Sequence, residues 1–104
     1  MTPKVYDCVI RGGRVVTAVD DYEADVAISG GVIRAIGHGL GAGGIELDAR
    51  DRLILPGGVD SHCHIEQLSG MGIMSADDFY TGTVSAAFGG TTTIIPFEIG
   101  RAHV

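Results

Sequence analysis

The segment GVDSHCHIEQ, residues 58–67, sets His62 and His64 two positions apart, with Asp60 two positions before them. It follows the apolar run RLILP, so extended backbone is the natural reading, and side chains on a strand alternate between its faces. His62 and His64 then share one face with Asp60, while Cys63 faces the other way. Two neutral imidazoles on one face suit zinc or a similar divalent ion, and a catalytic site of that kind needs further protein ligands and an open position for water. In a parallel α/β barrel such ligands stand at the C-terminal ends of strands, and this pair ends its apolar run just before the chain turns out through IEQLSGMG. The other reading of an isolated His-x-His is two strand-end histidines satisfied by hydrogen bonds.

The residues around the pair carry two readings each. Asp60 is either a carboxylate that orients an imidazole from behind or one satisfied by nearby backbone N–H groups. Cys63, on the opposite face, reads as a small buried residue rather than a ligand. Glu66 and Gln67 fall on a loop beside the pair, where solvated residues are the better expectation than substrate contacts. Met71 and Met74 read as packing of that loop before an apolar substrate wall, and His38, in the glycine loop GHGLGAGG, as exposed.

These residues need a scaffold, and the chain offers two kinds. From residue 5 to about 55, short β-rich runs (VYDCVI, RVVTAV, ADVAIS, VIRAIG) alternate with Gly12-Gly13 and Gly30-Gly31. Paired glycines between apolar runs predict hairpin turns, because tight turns use positive φ, and this half reads as a small antiparallel β unit. The glycine loop at 37–44 lacks a Lys-Ser/Thr pair and a following helix, so it predicts a strand connection rather than a phosphate cradle. Beyond Pro56-Gly57-Gly58 the pattern changes. A buried strand carries the histidines, and SADDFYTGTVSAAFGG predicts a helix capped by Ser75 with Asp78 three residues on. Gly82 inside that helix predicts close packing. TTTIIPF then reads as a strand buried on both faces, which completes a strand-helix-strand unit.

Composition narrows the partner. Thirteen acidic residues against seven basic ones give a net charge of −6, with no Lys/Arg cluster, which argues against nucleic acid and anionic membranes. The first residues hold no long apolar stretch, so neither a signal peptide nor a membrane anchor is expected and the cytoplasm is the default. Two cysteines, Cys8 and Cys63, are too few for a disulfide framework and read as reduced thiols.

Taken together, DCVIRGGRVVTA, ILPGGVDSHCHI and SADDFYTGTVSAAFGGTTTIIPF resemble the amidohydrolase superfamily, and within it the D-hydantoinase/dihydropyrimidinase branch, over residues 5–97. Dihydroorotases and allantoinases usually follow the second histidine with an acidic-Pro-Gly stretch, whereas this chain reads IEQLSGMG, so the hydantoin and cyclic-imide branch is favoured. The resemblance implies an α/β fold in which a small β-sandwich domain, here 1–55, precedes the first strand-helix-strand of a (β/α)8 TIM barrel, here 56–97. It implies a binuclear Zn2+ site with His62 and His64 on the more buried ion and a carboxylated Lys bridging the two. Together the cations would activate a water near neutral pH to open the ring amide of a small cyclic substrate, with an Asp as general base. The Lys, two more His and that Asp match no position in this chain, so the expectation is an N-terminal fragment with no catalytic residue of its own, from a protein that is a homotetramer when full length. Alternative readings are an allantoinase- or dihydroorotase-type amidase and a non-catalytic scaffold of the same fold.

The last residues, EIGRAHV, depart from the pattern. Back-translated as ATC GGA AGA GCA CAC GTC, IGRAHV matches a sequencing-library adapter, so residues 98–104 are expected to be adapter read-through on a truncated gene. Re-reading the source DNA across that junction tests this.

Overall fold

The computed structural model describes residues 3–68 and 71–97; the adapter expectation at 98–104 lies outside them. The chain divides into two compact units, Met1–Pro56 and Gly57–Val104.

The first unit is built on one long strand, β1 (Tyr6–Val16). β2 (Asp21–Ser29) and β3 (Val32–Gly37) follow as an antiparallel meander, then β4 (Gly43–Asp48) and β5 (Leu53–Ile54) return to the free edge of β1. β4 and β5 run parallel to β1, β4 beside its first half from Tyr6 to Arg11 and β5 beside Arg14 and Val15. The sheet is therefore mixed, not wholly antiparallel as the glycine pattern predicts. The connection at 38–42 carries the chain across from β3 to β1 instead of folding it back on β3, and a crossover of that kind produces parallel pairing.

Gly30-Gly31 forms the expected hairpin turn, with φ of 61° and 74° between the paired Ser29 and Val32. Gly12-Gly13 does not. It lies inside β1 as a bulge, where the register with β2 shifts between Ile10 and Gly13. Gly12 takes φ +70°, and its N–H donates to Asp25 Oδ1 at 2.9 Å. A Cβ on Gly13 would stand 2.5 Å from Ile54 Cδ1 and 3.0 Å from Ala49 Cβ, so the bulge admits the 49–52 corner between β4 and β5. The actual β1–β2 turn contains no glycine. Thr17 makes it, its hydroxyl accepting the N–H groups of Val19 and Asp20 and its own N–H donating to Asp20 O.

The core is aliphatic. Val15, Ala24 and Val26 form its centre with Ile10, Ile28 and Ile54 around them, and Val9, Ala27 and Ala49 are also buried. Arg11 ties the edges together. Its Nε and Nη2 donate to the two carboxylate oxygens of Glu46 at 2.8 and 2.9 Å. Nη1 reaches Asp25 Oδ2 and Leu40 O, and Nη2 reaches Gly41 O. Five acceptors thus meet the five donors of one guanidinium and fix β1, β2, β4 and the crossing loop to one another.

That hub makes the unit sensitive to acid. The Arg11 guanidinium and the Gly43 N–H hold the Glu46 carboxyl down to about 2, and the Arg50 side chain and backbone N–H hold Asp48 at about 2. Both folded values lie below the ordinary 4.5 and 3.8, so their contribution is complete above those values and is lost as the pH falls toward about 2. The thermal midpoint is expected to be lower at about pH 3 than at about pH 6, and Glu46→Gln to shrink the difference. Equal pH dependence in the two proteins would contradict the assignment.

In the second unit β6 (Gly58–Cys63) and β7 (Thr91–Pro96) pair in parallel, joined through α1 (Phe79–Phe88), which packs against β7. Strand, helix and strand follow in the expected order. The helix starts later than predicted, with Asp78 as N-cap in a reciprocal box: Asp78 Oδ1 accepts the Thr81 N–H at 2.8 Å and Thr81 Oγ1 accepts the Asp78 N–H at 3.1 Å. Ser75 does not cap the helix; its hydroxyl instead accepts the Gln67 N–H and donates to Asp77 O. Asp78→Ala is expected to cost about 1 kcal/mol in chemical unfolding, the usual worth of such a cap, with Ser75→Ala leaving helix content unchanged.

Gly82 is packed as expected, since a Cβ there would lie 3.3 Å from Ile65 Cδ1. The strands are less covered than the two buried strands expected from the sequence, with most of β6 and Ile95 of β7 exposed. A ten-residue helix covers at most one face of two strands.

Candidate metal centre

The parallel pairing of β6 and β7 brings the C-terminal ends of both strands to the same edge. There the Phe97 N–H donates to Cys63 O at 2.7 Å, which pins the backbone between the two histidines to the end of β7. His62 is the fifth residue of β6 and His64 is the first beyond it. Their Nε2 atoms lie 3.2 Å apart, with ring centroids separated by 5.1 Å.

This separation decides whether one ion fits. Two imidazole nitrogens on a tetrahedral zinc, each about 2.0–2.1 Å from the metal, are about 3.3 Å apart. The observed 3.2 Å matches that edge, and both side chains are exposed at their strand end. His62 and His64 therefore fit a shared divalent ion. Among the described residues no group of three or more His, Cys, Asp or Glu side chains gathers, so a metal held here draws its remaining ligands from elsewhere.

The neighbours divide clearly. Asp60 Oδ1 accepts the backbone N–H of His62 at 3.0 Å and bonds neither imidazole among the described residues. Cys63 is half-buried and free of any disulfide. Glu66 takes φ +52°, and its N–H donates to Asp77 O, which turns the chain sharply after the pair. His38 is exposed, as are Met71 and Met74. Met74 and Ile73 line an open depression with Ser75, Gln67 and His64.

Two residues have larger parts than their sequence positions suggest. Gln67, read as a solvated loop residue, is half-buried, and its Oε1 lies 2.5 Å from His64 Nδ1. Phe97 stacks on His62, with centroids 5.9 Å apart and planes at 14°, and its ring also lies 5.3 Å from that of His64. The available signal for Phe97 was topological: in a parallel pair the residue that ends one strand comes beside the residue that ends the other.

No protein-family model matches the chain. It is 49% identical over 90 residues to the D-hydantoinase of Geobacillus stearothermophilus, covering 86% of this chain and 19% of that protein. It is 48% identical over 99 residues to the dihydropyrimidinase of Rattus norvegicus, covering 88% and 18% respectively. The D-hydantoinase structure from Bacillus sp. AR9 superposes with a TM-score of 0.79 at 48% identity, over 91% of this chain and 21% of that one. The chain belongs to the D-hydantoinase/dihydropyrimidinase family. It spans about a fifth of the length of the relatives it matches. The β-rich unit and the strand-helix-strand unit are thus the family's fold over that fifth. Among the described residues no helix is long and apolar enough to cross a membrane.

Proposed function

We propose that this chain is the N-terminal part of a longer, metal-dependent cyclic amidase that hydrolyses the ring amide C–N bond of hydantoins or dihydropyrimidines. The observation that carries the proposal is the convergence of His62 and His64 at the C-terminal end of β6, in a chain nearly half identical to D-hydantoinases. Residues 1–55 then supply part of a small β domain and residues 56–97 open a (β/α)8 barrel, with 98–104 foreign to the gene.

In this reading His62 and His64 hold one zinc of a binuclear site through Nε2, while Asp60 braces the strand by holding the His62 backbone N–H. Such metals supply Lewis acidity, making water nucleophilic near neutral pH and polarising the amide carbonyl. Phe97 packs its ring against both imidazoles and limits their rotation. The other ligands, a bridging carboxylated Lys among them, and the catalytic Asp belong to the remainder of the protein, which works as a cytoplasmic homotetramer on a small cyclic amide. The complete gene product, expressed and assayed for zinc content and for ring opening of hydantoin and dihydrouracil, tests the proposal. Zinc-dependent turnover on either ring supports it; zinc without turnover on both moves the protein to another amidohydrolase branch, and absence of zinc overturns it.

A further inference from the structure

We propose that Gln67 is a positioning residue that fixes the tautomer of His64, holding the ring proton on Nδ1 and leaving Nε2 bare. The inference rests on the metal reading for its purpose, not for its geometry.

The Gln67 side-chain amide has two unlike ends and meets a different partner at each. Its Nε2 donates to Phe97 O at 3.4 Å. A backbone carbonyl only accepts, so the amide NH2 group must face Phe97 and the oxygen must face His64. That oxygen, 2.5 Å from His64 Nδ1, also only accepts, so Nδ1 must carry the proton. In the neutral ring Nε2 then bears a lone pair, directed toward His62 Nε2 at 3.2 Å. Without a metal, His62 must therefore donate from Nε2, and the two histidines hold opposite tautomers.

The amide is fixed at its base as well. The Gln67 N–H donates to Ser75 Oγ at 2.9 Å and Gln67 O accepts the Ser75 N–H at 2.9 Å, so the residue is clasped across the loop from both sides of its peptide. Neutral imidazole left to itself favours the proton on Nε2, the atom a metal needs bare, and a hydrogen bond at the other nitrogen selects the competent form. Gln67 supplies that bond three residues after the ligand it serves.

The test uses the complete gene product, stripped of metal and labelled with 15N at histidine, in long-range 1H–15N spectra at about pH 8.5, above the ordinary imidazole range. His64 should show a protonated Nδ1 and a bare Nε2, with His62 showing the reverse. In Gln67→Leu, which keeps both backbone bonds to Ser75, His64 should move to the Nε2–H form, and Gln67→Glu, which keeps an acceptor oxygen, should restore Nδ1–H. An Nε2–H His64 in the wild-type chain, or a tautomer unmoved by Gln67→Leu, overturns the proposal.

Zinc titration of the complete gene product separates this from the reading beneath it. Gln67→Leu should weaken zinc binding about 10- to 100-fold, with most of the loss recovered in Gln67→Glu; unchanged affinity in Gln67→Leu overturns the positioning role. If the wild-type protein binds no zinc, the metal reading fails, and the tautomers in the metal-free protein still decide what Gln67 does.

Discussion

His64→Ala will weaken zinc binding by the complete gene product by more than about a hundredfold, and His62→Ala will do the same. The magnitude follows from comparison with residues that only brace a ligand, whose loss already costs about 10- to 100-fold; removing the ligand itself must cost more. The Nε2 atoms stand 3.2 Å apart with no third His, Cys, Asp or Glu gathered beside them among the described residues, so no neighbouring side chain from this part of the protein can replace either. Thermal unfolding reads the loss without any assay of activity. At zinc concentrations about 100 times the wild-type Kd, binding stabilises the folded protein by about 2.7 kcal/mol, and a hundredfold weaker site retains only about 0.4 kcal/mol of that. Zinc should therefore raise the melting temperature of the wild-type protein and leave both variants almost unmoved. Equal zinc-induced shifts in wild-type and variants would remove the histidines from the site.

Gly43→Ala will destabilise the first unit by about 2–3 kcal/mol, more than alanine at any of its turn glycines. Gly43 opens β4 opposite Tyr6, and a Cβ there would stand 2.7 Å from both Val9 N and Ile45 O and 3.0 Å from Val9 Cγ2. Two of those three atoms are backbone and the third belongs to a wholly buried core valine, so none can swing aside. The strand must shift instead, and it carries Glu46 away from Arg11 as it moves. Gly31→Ala is the contrast. It meets nothing within 4 Å and bears only the cost of its φ of +74°, about 1 kcal/mol. Urea unfolding of the two variants measures the difference, and a Gly31→Ala protein as unstable as Gly43→Ala would contradict the close-approach account.

Local chemistry explains which features could be read from the sequence. Gly30-Gly31 is a turn whose requirement for positive φ is written in its residues, and the strand-helix-strand order of the second unit follows from apolar patterning and from glycines after the helix. Gly12-Gly13 carries the same local signature but serves a different end. Whether two glycines turn a chain or bulge it depends on what lies alongside, here Ile54 and Ala49, some forty residues away. The parallel return of β4 was hidden for the same reason, since a strand's partner is set by the path of its connection and not by its own residues. Arg11 resembles any strand arginine until Glu46, Asp25 and two loop carbonyls converge on it.

At the candidate site the pairing of His62 and His64 on one side of an extended segment is a matter of strand period, visible at once. The contacts of Gln67 and Phe97 are not. Gln67 reaches His64 only because the left-handed backbone at Glu66 and the clasp to Ser75 fold the loop back, and Phe97 arrives only through the register of β7 on β6. Asp60, equally open in sequence to an imidazole or to the backbone, takes the backbone.

The central claim is that His62 and His64 form half of a metal site. Anomalous diffraction at the zinc edge, from crystals of the complete gene product, tests it most directly. The account predicts a zinc peak about 2.0–2.1 Å from Nε2 of both histidines, with the remaining ligands supplied from beyond residue 97. A zinc peak held entirely by other residues, with neither His62 nor His64 ligating it, would contradict it.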